Sequence, residues 1–253
     1  MNLNFLKHPF IPEKRVKLIL IDGRTPEHIL YKLSSFGIDL ILTDPCNFVY
    51  PSISYHPDIQ LYSLGNGNLV TPPSMFENIK SKLSKYSFNI ICGHSVLKSN
   101  YPEDIAYNVA RIGDICFHKL NCTDPIIKKT LVVNGLTLVN VNQGYTKCST
   151  AIISNSAIIT SDKGIQKAAL QNGIDSLLIA PGYIHLKDLN YGFIGGCIGL
   201  IAPDVLVITG SLQSHPDFKK VLEFLNKHKV EMISLTNSIP IDIGSLIPLL
   251  EVE

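Results

Sequence analysis

Charged side chains are scarce in this sequence, and the two signs are balanced. They make up 17% of the 253 residues, below the roughly 25% of an average soluble domain, whereas 45% of the residues are hydrophobic. Much of the chain is therefore expected to be buried or to face a partner, so a homo-oligomer is compatible with the composition. The net charge is +1 and no basic stripe is present, which argues against nucleic acid as a partner.

Long apolar runs are also missing. No stretch of about 18 uninterrupted apolar residues occurs, although a membrane-spanning helix needs at least that many. The segment MNLNFLKHPFIPEKR has no basic start followed by a long apolar stretch, as a signal peptide would have. We therefore expect a cytoplasmic protein that has no membrane partner.

Paired cysteine motifs are absent. The six cysteines are scattered without a CxxC, and a chain of this length does not need disulfides to stabilise its core. Cys116, His118 and Cys122 lie close together as CFHKLNC, but this spacing fits no common zinc site. We therefore expect reduced thiols and no bound metal.

Nucleotide-binding fingerprints are missing as well. The glycine clusters GNGN (65–68) and GFIGG (192–196) match neither the dinucleotide motif nor the phosphate-binding loop of the P-loop proteins. Glycines in such clusters also turn hairpins or allow two backbones to approach closely. No cofactor is predicted.

Five segments have the composition of a helix start. Each offers a capping oxygen, and proline often follows in the first helical turn. Apolar residues then recur at helical spacing, and the S-x-x-D spacing of the last start predicts a capping box. The five starts are Thr25-Pro26, Thr71-Pro72-Pro73-Ser74, Thr123-Asp124-Pro125, Ser161-Asp162 and Ser214-His215-Pro216-Asp217.

Short β-branched runs surround the predicted helices. One run follows every helix, and a pair of runs typical of a β-hairpin precedes helices two to five. The unit of strand, turn, strand, helix and strand recurs four times at about fifty residues, a period typical of repeat architectures. The predicted hairpin turns are Gly65-Asn66-Gly67, Gly113-Asp114, Asn155-Ser156 and Pro203-Asp204.

The first helix is preceded by only one evident strand, VKLILID (16–22). The segment that starts at Ile241, IDIGSLIPLLEV, is a candidate partner strand that would close the units into a ring without open sheet edges. If it does not pair there, an open doubly wound sheet is the alternative. The predicted repeats of a single domain, 1–253, are approximately 16–50 with 241–253, 56–100, 107–142, 147–182 and 196–237.

Five such ββαβ units around a pseudo-fivefold axis resemble the pentein fold of the guanidino-group-modifying enzymes, such as arginine deiminase and dimethylarginine dimethylaminohydrolase. The motifs HPDI, GYTKCS, GFIGG and DIGS look like those of a bacterial branch of that superfamily. The resemblance covers essentially the whole chain. It implies an α/β five-bladed propeller, closed by the C-terminal strand, with an active site at the axis for a small guanidino or amidino compound.

The same resemblance suggests candidate residues where the repeats begin. Asp58, in SYHPDIQLYSLGNGN, resembles the aspartate that binds the guanidinium group, and Asn108 stands where a second carboxylate is expected. GYTKCST puts Lys147 and Cys148 near the position of the family's histidine. Cys197, in GGCIG, resembles the family's nucleophilic cysteine.

Attack on a guanidinium carbon needs a thiolate, carboxylates that hold the planar cation, and an acid that protonates the leaving amine. Asp58 is the predicted carboxylate. His56 would lie on the same face of an extended chain, since side chains alternate along a strand, and is the predicted acid. Cys148 and Cys197 are rival nucleophiles, and the sequence leaves open which of them reacts, or whether neither does.

Ser211 and His215 are weaker candidates for the rim of a substrate pocket, because His215 also fits a role at a helix start. His185 is a candidate to fold inward on its loop. The fourth repeat has no His-x-Asp or His-x-Glu pair, which puts ordinary deiminase chemistry in question. Two functions stay open: a cysteine-dependent hydrolase or transferase acting on a guanidino or amidino compound, and a non-catalytic protein that binds a small molecule or a protein partner.

Overall fold

The computed structural model of the chain describes residues 3–253 and contains five small β-sheets with helices between their strands. Four of these sheets have three strands and one has four. The prediction of an α/β protein is confirmed. The alternative of an open doubly wound sheet is wrong, because the described strands form separate small sheets.

The strands and helices are short. The strands are β1 Leu3–Phe5, β2 Val16–Ile21, β3 Asp39–Leu42, β4 Tyr62–Gly65, β5 Asn68–Thr71, β6 Asn89–Cys92, β7 Ala110–Ile112, β8 Ile115–His118, β9 Thr137–Asn140, β10 Thr150–Ser154, β11 Ala157–Thr160, β12 Asp175–Leu178, β13 Ile198–Ala202, β14 Val205–Ile208, β15 Glu231–Ser234 and β16 Ile247–Val252. The helices are α1 Glu27–Ser34, α2 Pro57–Gln60, α3 Phe76–Lys82, α4 Pro125–Val133, α5 Lys163–Gln171 and α6 Phe218–Lys227, and 3-10 turns span Pro51–Ile53, Pro73–Met75 and Ile194–Cys197.

Four units repeat the predicted order of strand, turn, strand, helix and strand. The hairpins turn at the predicted residues, and each middle strand pairs antiparallel with the first strand and parallel with the last. Three of the four hairpins also share a register shift just before the turn, which supports an internal repeat. The second unit is β4, β5, α3 and β6; the third is β7, β8, α4 and β9; the fourth is β10, β11, α5 and β12; the fifth is β13, β14, α6 and β15.

The first unit combines strands from opposite ends of the described chain. β16 pairs antiparallel with β2, where Leu250 lies opposite Leu18, and β2 pairs parallel with β3 across α1. The predicted pairing of the segment from Ile241 with the first strand is therefore confirmed. The sequence did not predict β1, which pairs with the other edge of β16.

Side-chain caps form at two of the five predicted helix starts. Asp124 accepts hydrogen bonds from backbone amides at the start of α4, and Asp162 does so at α5, which satisfies orphan donors of the first turn. The other three starts have no side-chain cap, because Thr25, Thr71 and Asp217 bond elsewhere. The capping box predicted before α6 is wrong, since the Asp217 carboxylate accepts from the backbone of another loop.

Burial decreases from the first strand of each unit to the last. The first strands β4, β7, β10 and β13 are almost wholly buried, whereas β3, β6, β9 and β15 start and end with exposed residues. The inner strands therefore bring the turns that precede them into the interior. Among the described helices, none has the length and hydropathy that crossing a membrane requires.

Candidate active site

A short turn precedes the inner strand of each unit, and these five turns lie together inside the molecule. We number each turn after its unit. The first turn is 242–245 before β16, the second is 57–60 before β4, the third is 105–108 before β7, the fourth is 146–149 before β10, and the fifth is 194–197 before β13.

Backbone hydrogen bonds join the first turn to the second and the fifth. The amide of Asp58 donates to the carbonyl of Gly244 over 3.3 Å. The amide of Ser245 donates to the carbonyl of Gly196 over 2.8 Å. Gly244 has a φ of +64° and lies so close to His56 that a Cβ would overlap it, so glycine is required here.

Side chains complete the connection around the other turns. Lys147 Nζ donates to the carbonyl of Gly195 over 3.2 Å, and the Lys147 amide donates to Asn108 Oδ1 over 2.8 Å. Asn108 Nδ2 donates in turn to the carbonyl of Asp58 over 3.3 Å. The five turns are thus linked in one closed cycle of hydrogen bonds.

Cys148 lies in the fourth turn and contacts two other turns. Its Sγ donates to Asp58 Oδ2 over 2.8 Å and accepts from Asn108 Nδ2 at 3.3 Å. The side chain is buried, and burial raises the pKa of the thiol well above its ordinary value, with the charge of Asp58 adding to the effect. Cys148 is therefore a protonated thiol at neutral pH.

Asp58 is a buried carboxyl group that titrates near neutral pH. Burial raises its pKa to about 6, while the cation of Lys147 and three hydrogen-bonding side chains act in the opposite direction. Ser245 Oγ lies 2.8 Å from Oδ2. The other carboxyl oxygen, Oδ1, is buried without a hydrogen-bond partner, so Asp58 keeps one free acceptor.

Lys147 brings a positive charge beneath this cluster. Its Nζ donates to Ser245 Oγ over 2.9 Å and lies 5.0 Å from the centre of the Phe10 ring. Burial lowers the pKa of Lys147, and Asp58 opposes that change. Ser245 therefore bridges a lysine and an aspartate that come from different units.

His56 reaches the cluster by a different geometry from the one predicted. Residues Pro57–Gln60 form a helical turn, so the argument that His56 and Asp58 share a face of a strand is wrong. His56 Nε2 lies 4.0 Å from Asp22 Oδ2 and 4.0 Å from Asp242 Oδ1, and neither ring nitrogen has a hydrogen-bond partner. Burial lowers the pKa of His56 to about 3, and the charge of Arg24 adds to this effect, so the imidazole is neutral.

Asp242 is a site residue that the sequence analysis missed, although its motif DIGS was noticed. Its Oδ2 accepts from the amide of Phe193 over 2.8 Å and its Oδ1 from the amide of Gly244 over 2.9 Å. Burial raises its pKa to about 7 despite these bonds. A Cβ on Gly192 or Gly196 would overlap the Asp242 side chain, which explains two glycines of GFIGG as sites of close approach.

A cavity of about 250 Å³ opens above Cys148. His56, Cys148 and Asp242 form a polar cluster in its lining, Asn190 adds a further polar side chain, and the loop 181–193 supplies much of its apolar wall. The other lining residues are Tyr50, Ile53, Tyr145, Leu186, Leu189, Tyr191 and Phe193. The aromatic wall is a feature that sequence spacing did not reveal, because it combines three separate segments.

Cys197 differs from Cys148 although it lies in the equivalent fifth turn. Its thiol donates to the carbonyl of Ile194 in the same turn over 3.2 Å, and it packs within the hydrophobic core. Burial raises the pKa of this thiol well above its ordinary value too. Cys197 is not among the residues that line the cavity.

Residues 20–247 match DUF6873, a family of unknown function. The chain belongs to this family. No curated protein sequence matches this DUF6873 member.

Solved structures show which fold the DUF6873 chain has. It is similar to a C. jejuni agmatine deiminase with substrate bound, at 11% identity and a TM-score of 0.58 over 98% of this chain and 97% of that one. It is also similar to a DDAH from Pseudomonas aeruginosa complexed with citrulline, at 11% identity and a TM-score of 0.53 over 87% of this chain and 92% of that one. An inosamine-phosphate amidinotransferase from Streptomyces griseus has 10% identity and a TM-score of 0.54 over 94% of this chain and 96% of that one. The fold is that of the pentein superfamily, which confirms the resemblance seen in the sequence.

The remaining candidates of the DUF6873 chain lie away from the cluster. Ser211 Oγ accepts from the amide of Gln213, and His215 Nδ1 accepts from the amide of Asp217 over 3.0 Å. Ser211 therefore serves its own loop before α6, whereas His215 also joins that loop to Ala180, whose carbonyl lies 3.1 Å from His215 Nε2. His185 is exposed and its backbone pairs with Ile241, so the expectation that it folds inward is wrong.

Three side chains of the cluster could contact one metal ion. Ligand atoms of His56, Cys148 and Asp242 lie within 4.8 Å of one another, and nitrogen, sulfur and oxygen donors are all known zinc ligands. Cys148 would first have to lose the proton that it donates to Asp58. The expectation that no metal is bound stays a prediction.

Proposed function

We propose that this chain is an enzyme that acts on a small guanidino or amidino compound, with Cys148 as its nucleophile. The observation that carries the proposal is the 2.8 Å contact between Cys148 Sγ and Asp58 Oδ2 beside a cavity that also exposes His56 and Asp242. Proteins with the same fold include an agmatine deiminase and an amidinotransferase, which lends further support.

The proposal includes the arrangement of the sheets. The five units are blades of a propeller around one axis, in a single domain of residues 1–253, and the five turns lie at its centre. The closed cycle of hydrogen bonds between these turns supports this arrangement, since each turn bonds to its neighbours.

Substrate binding activates the thiol. A guanidinium or amidinium cation in the cavity favours negative charge on Cys148, because an opposite charge at close range lowers the pKa of a thiol. Asp58, whose pKa is about 6, already accepts the S–H hydrogen bond and takes the proton. The resulting thiolate is the nucleophilic form.

The thiolate attacks the central carbon of the cation, and a C–S bond forms. The C–N bond to the leaving amine then breaks with its electron pair, and the amine receives the proton from Asp58. Water attacks the carbon of the covalent intermediate and gives one proton to Asp242, which lines the cavity and has a pKa of about 7. The C–S bond breaks with its electron pair as the carbonyl group of the product forms; the Cys148 thiolate regains the proton from Asp242, and the second proton of the water passes to solvent. An amine in place of water would complete an amidine transfer.

A second function, binding without turnover, has specific support. Asn108 replaces the expected carboxylate, and the buried thiol of Cys148 is protonated before any ligand enters. A binding protein would be stabilised by guanidino compounds in thermal unfolding, would show no turnover, and would keep that stabilisation after Cys148→Ala.

Intact-mass analysis with 2-chloroacetamidine tests the enzyme proposal. The probe places an amidinium beside an electrophilic carbon, so the folded chain should gain one adduct at Cys148. We expect Cys148→Ala to abolish the adduct and Cys197→Ala to retain it. Labelling of Cys197 alone, or no labelling above that of the denatured protein, would contradict the proposal.

A further inference from the structure

The charge pattern of the cavity above Cys148 selects against amino acids. Of the residues that line it, Asp242 alone is acidic and none is lysine or arginine. Lys147 lies beneath the cavity and is bonded to Ser245 and Gly195, and Arg24 pairs with Asp22 at 2.7 Å. An α-carboxylate in this cavity would therefore lack a cationic partner and would lose its hydration at a cost in free energy.

The cavity wall instead suits an apolar or aromatic group. The rings of Tyr145 and Phe193 have centroids 6.3 Å apart, and those of Tyr191 and Phe193 are 6.4 Å apart and nearly perpendicular. Aromatic faces attract both other rings and cations. Leu186 and Leu189 extend this wall with aliphatic surface.

The size of the cavity is consistent with one ring and one cationic head. A dry cavity of about 150 Å³ is large enough to hold benzene. The cavity here measures about 250 Å³, which leaves room for an amidinium group attached to such a ring. The polar groups of the cavity, His56, Cys148 and Asp242, would then surround the head.

We infer that the site binds amidines and guanidines that carry an aromatic or alkyl group and no carboxylate, in preference to amino acids such as arginine. The inference rests on the proposed function for the orientation of the cationic head toward Cys148. The apolar wall holds the rest of the ligand, and Asp242 supplies the charge that the head requires.

Calorimetric titration of the full chain tests this preference. Cys148→Ser prevents covalent chemistry and keeps a hydroxyl donor for Asp58; the parent is titrated in parallel. We expect benzamidine to bind at least about tenfold more tightly than arginine and than benzamide, which has the same ring without the charge. Arginine that binds as tightly as benzamidine, for example through Lys187 in the adjoining groove, would overturn the inference, as would a lack of benzamidine binding to both proteins.

Variants of the loop 181–193 test the role of the wall. Tyr191→Ala and Phe193→Ala should each weaken benzamidine binding about tenfold. Tyr183→Ala is the matched control, because Tyr183 is exposed on the same loop and does not line the cavity. An equal loss in the control would overturn the inference, since the effect would then come from the loop as a whole.

The two proposals fail in different ways. Covalent labelling of Cys148 without a preference for benzamidine would leave the proposed enzyme function intact and overturn the ligand class. Tight binding of benzamidine without any labelling would support the ligand class and contradict the role of Cys148 as a nucleophile.

Discussion

The fourth and fifth turns each carry a buried cysteine just before an inner strand, but Cys148 lies two residues before β10 and Cys197 directly before β13. Their surroundings nevertheless differ. Cys148 bonds to Asp58 and Asn108 from two other units and lines the cavity, whereas Cys197 donates to Ile194 within its own turn. Burial alone therefore does not distinguish a cysteine that lines the cavity from one that packs in the core; the position within the turn and the contacts with other units do.

The fifth turn has a different task, which its glycines reveal. Gly196 leaves space for the Asp242 carboxyl group, and Gly195 leaves space for the backbone of the fourth turn. The fifth turn thus shapes the site through glycines that leave space, while the fourth turn supplies the proposed nucleophile, Cys148.

Filling the space in the fifth turn should have the largest effect on stability. In Gly196→Ala the new methyl group would collide with the Asp242 carboxyl group, which cannot move without losing its bonds to Phe193 and Gly244. We expect the free energy of unfolding to fall by about 3 kcal/mol, measured by urea denaturation.

Gly164→Ala is the matched control for this variant. Gly164 is the second residue of α5, where a Cβ would meet only the side-chain oxygen Asp162 Oδ1 at 3.1 Å. Alanine should change the free energy of unfolding there by at most roughly 0.5–1 kcal/mol. If Gly196→Ala is as stable as Gly164→Ala, the close approach of Asp242 and the fifth turn does not constrain the fold.

Changing Asn108, through which the third turn contacts the fourth, should have an intermediate effect on the free energy of unfolding. Asn108→Asp removes the two donations from Nδ2 to Cys148 and to the backbone of Asp58, and it adds a second acidic group beside Asp58. We expect a loss of about 2 kcal/mol in the free energy of unfolding. Asn226→Asp, an exposed change in α6, should be nearly neutral in the same measurement; equal losses would show that Asn108 does not hold the turn.

The smallest expected effect is a pH dependence of stability that comes from Asp58 of the second turn, which accepts the hydrogen bond from Cys148 of the fourth. The pKa of Asp58 in the folded chain, about 6, lies above its ordinary value of 3.8, so the folded state binds the proton more tightly. The resulting stability is fully present below pH 3.8 and is lost as the pH rises through about 6. Relative to Asp58→Asn, the parent should lose about 1 kcal/mol between about pH 5 and about pH 8.

Denaturation of both proteins at the two pH values checks this prediction. The lowered pKa of His56 changes stability with pH in the opposite direction. Because His56 is present in both proteins, its contribution cancels when their free energies of unfolding are subtracted. Asp114→Asn serves as the control, because Asp114 is 84% exposed in a hairpin turn. A pH-independent difference between the parent and Asp58→Asn would show that Asp58 does not titrate in this range.

The repeat was predictable because its signals are local. Hairpin turns such as Gly113-Asp114 and helix ends such as Asn134-Gly135 need particular backbone angles, and few residues adopt them. The pairing of β16 with β2 could be predicted because the first unit lacked one strand of its hairpin and the segment from Ile241 offered one. The helical turn at Pro57 was missed, since proline fits both the first turn of a helix and the start of an extended segment.

The site was less predictable because its residues act through neighbours from other units. The motif that contains Asp242 and Ser245 was visible, but nothing in its spacing showed that Asp242 approaches His56 or that Ser245 bridges Lys147 and Asp58. The same limit left Cys148 and Cys197 equivalent. Their surroundings differ because Cys148 contacts Asp58 and Asn108 and lines the cavity next to the loop 181–193, whereas Cys197 does neither.

The pairing of Leu18 with Leu250 has a consequence for synthesis of the protein on the ribosome. A nascent chain can form its four central hairpins as they emerge, since their contacts are local and close quickly. β2 must wait for its partner β16, which is translated after the four central units. Asp242 and Ser245 arrive only with that strand, so the thiol of Cys148 acquires its full set of neighbours only after those units have emerged.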